Sequence, residues 1–291
     1  MIKKKYFKIK RKFLNFLVKN HSGLYRPSSY PFISGDTFRK YSDHIYDETK
    51  KLNPKNVKEN DLVFINGDYI SDFFKNVHPG INNNYKLISH NSDFNITEKE
   101  LNFIDDKIIH WFAQNLGVCQ NDKISPIPIG LENLRYQNNG ILSHFDLNGE
   151  NVKTKYILCS LNASTNFDER SHVIKISKNI KNIEVLNFPN HSLYSSSLQK
   201  YRFNLCPSGN GLDTHRIWES LMIKTIPILK ESLFSENLKN LGFPILLVKS
   251  WNELNEFSKS DLDKYYSNLS KDDNFQDVMF FEYWKKKIIN S

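Results

Sequence analysis

A chain of 291 residues is long enough for two α/β lobes or one large one, and 39% hydrophobic with 25% charged residues is ordinary globular usage, which excludes wholesale disorder. The formal charge of +8 is local: eight lysines and arginines and no acid fall in the first twenty residues. The remainder is near neutral, which excludes a broad nucleic-acid-binding face.

At the start, Ile2, Tyr6, Ile9, Phe13 and Phe16 recur at alternating spacings of four and three, one stripe of a helix ringed by lysines. Such a helix can lie on an anionic membrane surface, or dock on its own domain with a solvated basic face. The apolar stretch Phe13 to Val18 is too short for a signal sequence or a membrane span. The cysteines Cys119, Cys159 and Cys206 have neither CxxC nor Cys/His ligand spacing. They read as reduced thiols, with no structural zinc. The expected location is therefore cytoplasmic, with peripheral contact to the inner face of the membrane left open.

From Tyr30 onward, short apolar runs alternate with amphipathic stretches, as in a parallel sheet with crossover helices. The runs are Tyr30–Ser34, Asp61–Asn66, Tyr85–His90, Lys107–Phe112 and Ile124–Ile129. Polar groups follow each, and in an open parallel sheet they would share the ligand-binding rim. Residues 134–154 are polar and read as a connection. A second series follows: Lys155–Ser160, Ile183–Asn187, Arg202–Cys206, Thr225–Leu229 and Ile245–Val248. The expected organisation is one lobe over 1–150, a second over 151–277, and a helix over 278–291 packing back across the junction.

The informative stretch runs from Lys200 to Leu229: strand, glycine-containing loop, helix, turn, strand. Gly209 and Gly211 flank Asn210 and let backbone approach a ligand, while Asp213 or Thr214 can cap the next helix. Amide donors at that helix start favour an anion such as a diphosphate. Arg216 and Glu219 lie one turn apart on one face, guanidinium suited to diphosphate and carboxylate to ribose hydroxyls, or they form a structural i, i+3 ion pair. Asp261-Leu-Asp263 has the spacing of a metal-binding DxD but sits in a helix-start pattern, so it reads as a solvated cap, and Asp105-Asp106 is no stronger a metal signal.

Written as F-x-L-C-P-x-G-x-G-x-D-x-x-R-x-W-E-x-L-x-x-x-x-I-P-I, this stretch resembles the C-terminal lobe of exostosin-like glycosyltransferases of the GT-B fold and, more loosely, bacterial fucosyltransferases. The segments 88–93, 111–115 and 126–133 are similar to N-lobe stretches of bacterial members. The resemblance implies two Rossmann-like lobes facing a central cleft. It also implies sugar transfer, usually inverting and without a bound metal or other cofactor. The donor would be a nucleotide-sugar and the acceptor a glycan or lipid-linked glycan, in surface polysaccharide synthesis. Ser208 stands where many relatives carry a basic residue, which shifts diphosphate contacts toward Arg216 and Arg170.

An inverting transfer needs a base near the acceptor hydroxyl, expected on the first lobe's rim. Asp36, Asp68, Asp93 and Glu132 are the carboxylates there. Asp36 and Asp68 each precede an amphipathic stretch and read as helix caps. Thr97 with Glu100 supplies a capping box of its own, so Asp93 is left without a structural duty. Asp93 is therefore the first candidate, Asp36 the second and His90 the third. The rival readings are a catalytically silent nucleotide-sugar or glycan-binding protein, a dinucleotide oxidoreductase, weakened by a missing third glycine, and nucleic-acid binding through the basic helix.

Overall fold

The structure is a computed structural model that describes residues 25–145, 152–271 and 277–291. The basic helix expected over residues 1–19 lies outside the described residues. Two compact units divide the chain: residues up to Ile141 together with Phe280–Ser291, and Leu142–Met279.

In the first unit, five parallel strands, β1 (His44–Tyr46), β2 (Leu62–Asn66), β3 (Tyr85–His90), β4 (Ile108–Ala113) and β5 (Ile124–Pro126), pair in the order β1-β2-β3-β4-β5. Every residue of β2 and β3 is buried, which is why both read as continuous rather than alternating apolar runs. Helices α1 (Gly35–Tyr41), α2 (Ile70–Asn76) and α3 (Glu98–Leu101) punctuate the strands. The core includes Val63, Ile65, Phe73, Tyr85, Leu87 and Trp111. The Trp111 indole donates to Ser89 Oγ at 2.9 Å, so the buried ring keeps its hydrogen bond.

Two sequence expectations change here. Tyr30–Ser34 is not a strand of the parallel sheet; Ser34 makes an isolated antiparallel bridge with Gly130 and Phe32 another with Phe280. The sheet's first strand is instead His44–Tyr46, three residues pairing with Val63, Phe64 and Ile65.

Helix α9 (Phe281–Asn290) packs on this unit. Phe280 stacks on Phe32 with centroids 5.1 Å apart, and Phe281 meets the rings of Tyr30, Phe38 and Tyr41 edge-on. Trp284 and Ile288 are buried. Lys86, on β3, donates Nζ to the carbonyls of Ile288 at 2.6 Å and Ile289 at 3.0 Å, which satisfies two of the acceptors left open at a helix C-terminus.

The second unit has β6 (Lys155–Cys159), α4 (Phe167–Ser177), β7 (Ile183–Val185), α5 (His191–Leu198), β8 (Tyr201–Leu205), α6 (His215–Met222), β9 (Ile226–Lys230), α7 (Leu233–Asn240), β10 (Leu246–Val248) and α8 (Lys259–Leu269). All its strand pairs are parallel, in the order β10-β9-β8-β6-β7. Read from the other edge this is 2-1-3-4-5, a doubly wound sheet whose winding reverses between β6 and β8. The carboxyl ends of those two strands flank the crevice where such sheets bind ligands. Among the described residues, no helix is long and apolar enough to cross a membrane.

Candidate functional site

The reversal point places two loops side by side, the one after β6 at Leu161 to Asn166 and the one after β8 at Cys206 to Thr214. Arg170, in α4, ties them together. Its Nε donates to the Ser208 carbonyl at 2.8 Å and its Nη1 to the Asn162 carbonyl at 3.1 Å. Burial, and then the positive charge of Arg216, lower its pKa to about 10, so the guanidinium stays charged at neutral pH. Gly209 makes room for it, since a Cβ there would stand 3.1 Å from Arg170 Nη2 and 3.4 Å from Thr214 Cγ2. The Gly209 amide donates to the Gly211 carbonyl at 3.0 Å, turning the chain tightly with Asn210 exposed at the tip.

Thr214 is the N-cap residue of α6, with extended backbone and no side-chain cap bond, and its buried Oγ1 has no hydrogen-bond partner among the described residues. Asp213 stands immediately before that residue. It is buried and accepts from the Trp218 indole at 2.7 Å, a structural contact that ties the loop before α6 to the helix itself. That arrangement also avoids setting a carboxylate against a bound anion.

Arg216 and Glu219 are not paired with each other; α5 supplies a partner to each. Arg216 Nη1 donates to the Tyr194 hydroxyl at 3.1 Å, and the buried Arg216 Nε has no partner among the described residues. Burial works against the charge on Arg216, but Tyr194, Cys206 and Glu219 outweigh it and raise its pKa. Glu219 Oε1 accepts from His191 Nε2 at 2.9 Å. Burial pushes the Glu219 carboxyl up, yet the hydrogen bond and charge of His191, followed by the charge of Arg216, hold it below the usual carboxylate range. Four expected donor residues, Arg170, Gly209, Arg216 and Glu219, thus gather at one reversal point, with Gly211 closing the loop turn. His191 and Tyr194 were not expected from sequence. Asn190, which caps α5 through a bond to the Leu193 amide at 3.0 Å, was the only local sign that His191 begins a helix.

On the first unit's rim the expected bases fare differently. The Asp36 side chain is fully buried, beside Arg26 at 3.4 Å and Arg135 at 3.6 Å, and accepts from Asn91 Nδ2 at 3.3 Å. It is neither a helix cap nor open to an acceptor; Ser34 caps α1. His90 is buried, with Nε2 donating to the Pro128 carbonyl at 2.9 Å and Nδ1 accepting from the Asn91 amide at 2.7 Å. Its tautomer is fixed and no lone pair is left for an acceptor. Asp68 accepts from the Ser92 hydroxyl, while Asn66 makes the cap expected of Asp68. Glu132 accepts from the amide and side chain of Asn139 at 2.8 and 3.1 Å. Asp93 is exposed, three residues past the end of β3. The neighbouring capping box is present, with Glu100 accepting from Thr97 N at 2.9 Å.

The DxD-like pair is structural: Asp261 closes a capping box with Ser258, and Asp263 pairs with Arg202. Asp105 accepts from His78 at 2.9 Å.

No protein-family model matches the chain, and no curated protein sequence matches it. Among solved structures it is similar to an apo structure of OtsA, with 11% identity, a TM-score of 0.46, and 80% of this chain and 73% of that one covered. It is also similar to α,α-trehalose 6-phosphate synthase from Burkholderia multivorans, at 10% identity and TM-score 0.45 over 82% and 70% of the two chains. A third is a structure described as trehalose-6-phosphate from E. coli bound with UDP-2-fluoro glucose, at 11% identity and TM-score 0.41 over 80% and 74% of the two chains.

Proposed function

We propose that this chain is a glycosyltransferase that takes a sugar from a nucleotide-sugar and passes it to a glycan or lipid-linked glycan. The single observation that supports this most is the gathering of Arg170, Arg216, Glu219 and the Gly209 turn at the winding reversal of the second sheet. Two cations beside a tight glycine turn and a helix start suit a diphosphate; a buried ionised carboxylate one helical turn away suits ribose hydroxyls. A binding site for an uncharged ligand would have no use for two charged guanidinium groups kept in so little water.

Exostosin-like membership, an inverting course and a role in surface polysaccharide synthesis complete the proposal, on the strength of the Phe203 to Ile228 motif. Asp93 is the proposed base, being the one rim carboxylate of the four considered that is exposed and that no neighbour holds among the described residues. A thermal-shift panel of UDP-, GDP- and other nucleotide-sugars tests the donor. A ligand at about 100 times its dissociation constant adds about 2.7 kcal/mol to the folded state and should raise the melting temperature by several degrees. No shift with any donor sinks the proposal, and a shift without release of free nucleotide or transfer points to a silent binding protein. The basic segment before residue 20 is proposed to touch anionic lipid; its deletion should lower retention on phosphatidylserine vesicles by about 1 kcal/mol per basic residue near the surface.

A further inference from the structure

The first turn of α5 carries two side chains spaced to meet two on α6: His191 with Glu219, and Tyr194 with Arg216. Residues three apart on one helix face residues three apart on the other. The second contact is itself anchored, since Asn204 Nδ2 donates to the Tyr194 hydroxyl at 3.0 Å and to Ser220 Oγ at 2.9 Å.

The first contact continues outward. His191 Nδ1 lies 3.1 Å from Nδ1 of His144 and 3.4 Å from Ser195 Oγ. An ionised Glu219 can only accept, so His191 Nε2 must donate to it. Burial, and then the charge of His191, lower the pKa of His144. Both partners of the inner contact are nearly enclosed, with side-chain exposures of 6% for His191 and 7% for Glu219. The titratable and charged groups facing this carboxylate include His191, Arg216 and His215. Only Oε1 is engaged. Among the described residues nothing bonds Oε2, and it is not one of the buried partnerless oxygens.

We infer that His191 is a positioning residue: through Nε2 it fixes Glu219 Oε1, keeps that carboxylate ionised in a nearly dry pocket, and leaves Oε2 to the sugar hydroxyls of a bound nucleotide. The inference rests on the donor-site reading above. Its physical sense is that an ionised carboxylate left to itself in such a place would take up a proton or turn toward water, and a protonated, freely rotating carboxyl discriminates poorly between a hydroxyl and a hydrogen. His144 and Ser195 fix the ring's orientation from the other edge, as outer partners do for ligating histidines.

The test uses the full chain and measures dissociation constants of UDP, GDP and dTDP against their dideoxy counterparts, which keep the diphosphate but lack the sugar hydroxyls. Wild type should prefer the best hydroxylated form by about 10- to 100-fold, the range of one hydrogen bond to a charged group. His191→Asn keeps a polar group toward His144 but is too short to reach Glu219, and should shrink the preference to about threefold or less while dideoxy affinity stays put. His191→Gln restores an N–H at the Nε2 position and should recover most of it. An Asn variant with the wild-type ratio, one that weakens both forms equally, or one that does not fold would each overturn the inference, since an orienting residue is dispensable for the fold and matters only to the hydroxyls. Wild type that binds no nucleoside diphosphate would instead overturn the donor site itself; wild type that binds them without preferring hydroxyls would leave a nucleotide site but remove Glu219 and His191 from sugar recognition.

Discussion

Arg170 reaches from α4 to the Ser208 carbonyl at 2.8 Å, so the shape of the loop after β8 is set by a side chain on the far side of the sheet's winding reversal. Gly209→Ala would press a methyl against Arg170 Nη2 and Thr214 Cγ2, and the tip of a flexible arginine can yield a few tenths of an ångström. Little stability should be lost, within about 1 kcal/mol. Nucleotide affinity should fall, because the guanidinium that yields is a proposed diphosphate contact. Arg170→Lys should lower both, since one ammonium cannot span the carbonyls of Ser208 and Asn162. Calorimetric titration beside thermal melts checks the split; unchanged affinity in both variants would remove Arg170 from the site.

Arg216→Ala and Glu219→Ala should each weaken nucleotide binding by about 2–5 kcal/mol. Their stabilities should differ. Glu219→Ala leaves His191 without its acceptor, whereas Arg216→Ala relieves a guanidinium whose Nε is already unpartnered. Denaturant melts should therefore place Glu219→Ala below Arg216→Ala. Equal affinity to wild type in both would sink the donor assignment.

Asp93→Asn addresses the base. If Asp93 takes the acceptor's proton, the donor's dissociation constant should stay while transfer slows by about 10² or more. Normal transfer would remove Asp93. The search would then leave the four carboxylates first considered, because Asp36, Asp68 and Glu132 are all held by neighbours.

Lys153 offers a pH measurement. Its Nζ donates to the Ile223 carbonyl at 2.9 Å and to Thr225 Oγ1 at 2.7 Å, just past the end of α6, and burial lowers its pKa from 10.5 to about 7. Between pH 7 and 10 the unfolded chain binds this proton and the folded chain does not, so the lysine makes stability rise with pH across that window. Lys153→Met should flatten that rise relative to wild type in urea melts taken from pH 7 to 10. Parallel curves would mean the folded lysine keeps its proton.

The second sheet was legible almost strand by strand because its central runs, such as Ile-Pro-Ile-Leu over 226–229 and Tyr-Ile-Leu-Cys over 156–159, are apolar and end in polar loops. The first sheet's opening strand was not. His44–Tyr46 is three residues long, two of them only partly buried, and carries no pattern distinguishable from a loop. Tyr30–Ser34 misled for the opposite reason, being apolar enough to seem a strand while its backbone spends its bonds on antiparallel bridges to Gly130 and Phe280. At the site, Arg170, Gly209, Arg216 and Glu219 could be picked out because their residue types suit a diphosphate and ribose. His191 could not, because it lies 28 residues from Glu219 and only the placing of α5 beside α6 brings the two together. Asp36 and His90 failed as candidates because burial and pairing, which decide whether a titratable group is available, are properties of packing rather than of spacing.

The position of α9 bears on how the chain is made. The first unit is interrupted in sequence, with Phe281, Trp284 and Ile288 synthesised only after all of Leu142–Met279. Without Phe280–Ser291 the chain still holds a contiguous second unit, while Phe32, Phe38 and Tyr41 lack the rings that cover them. A chain ending at Met279 should therefore leave that aromatic face open, and limited proteolysis should cut its first unit while the second resists.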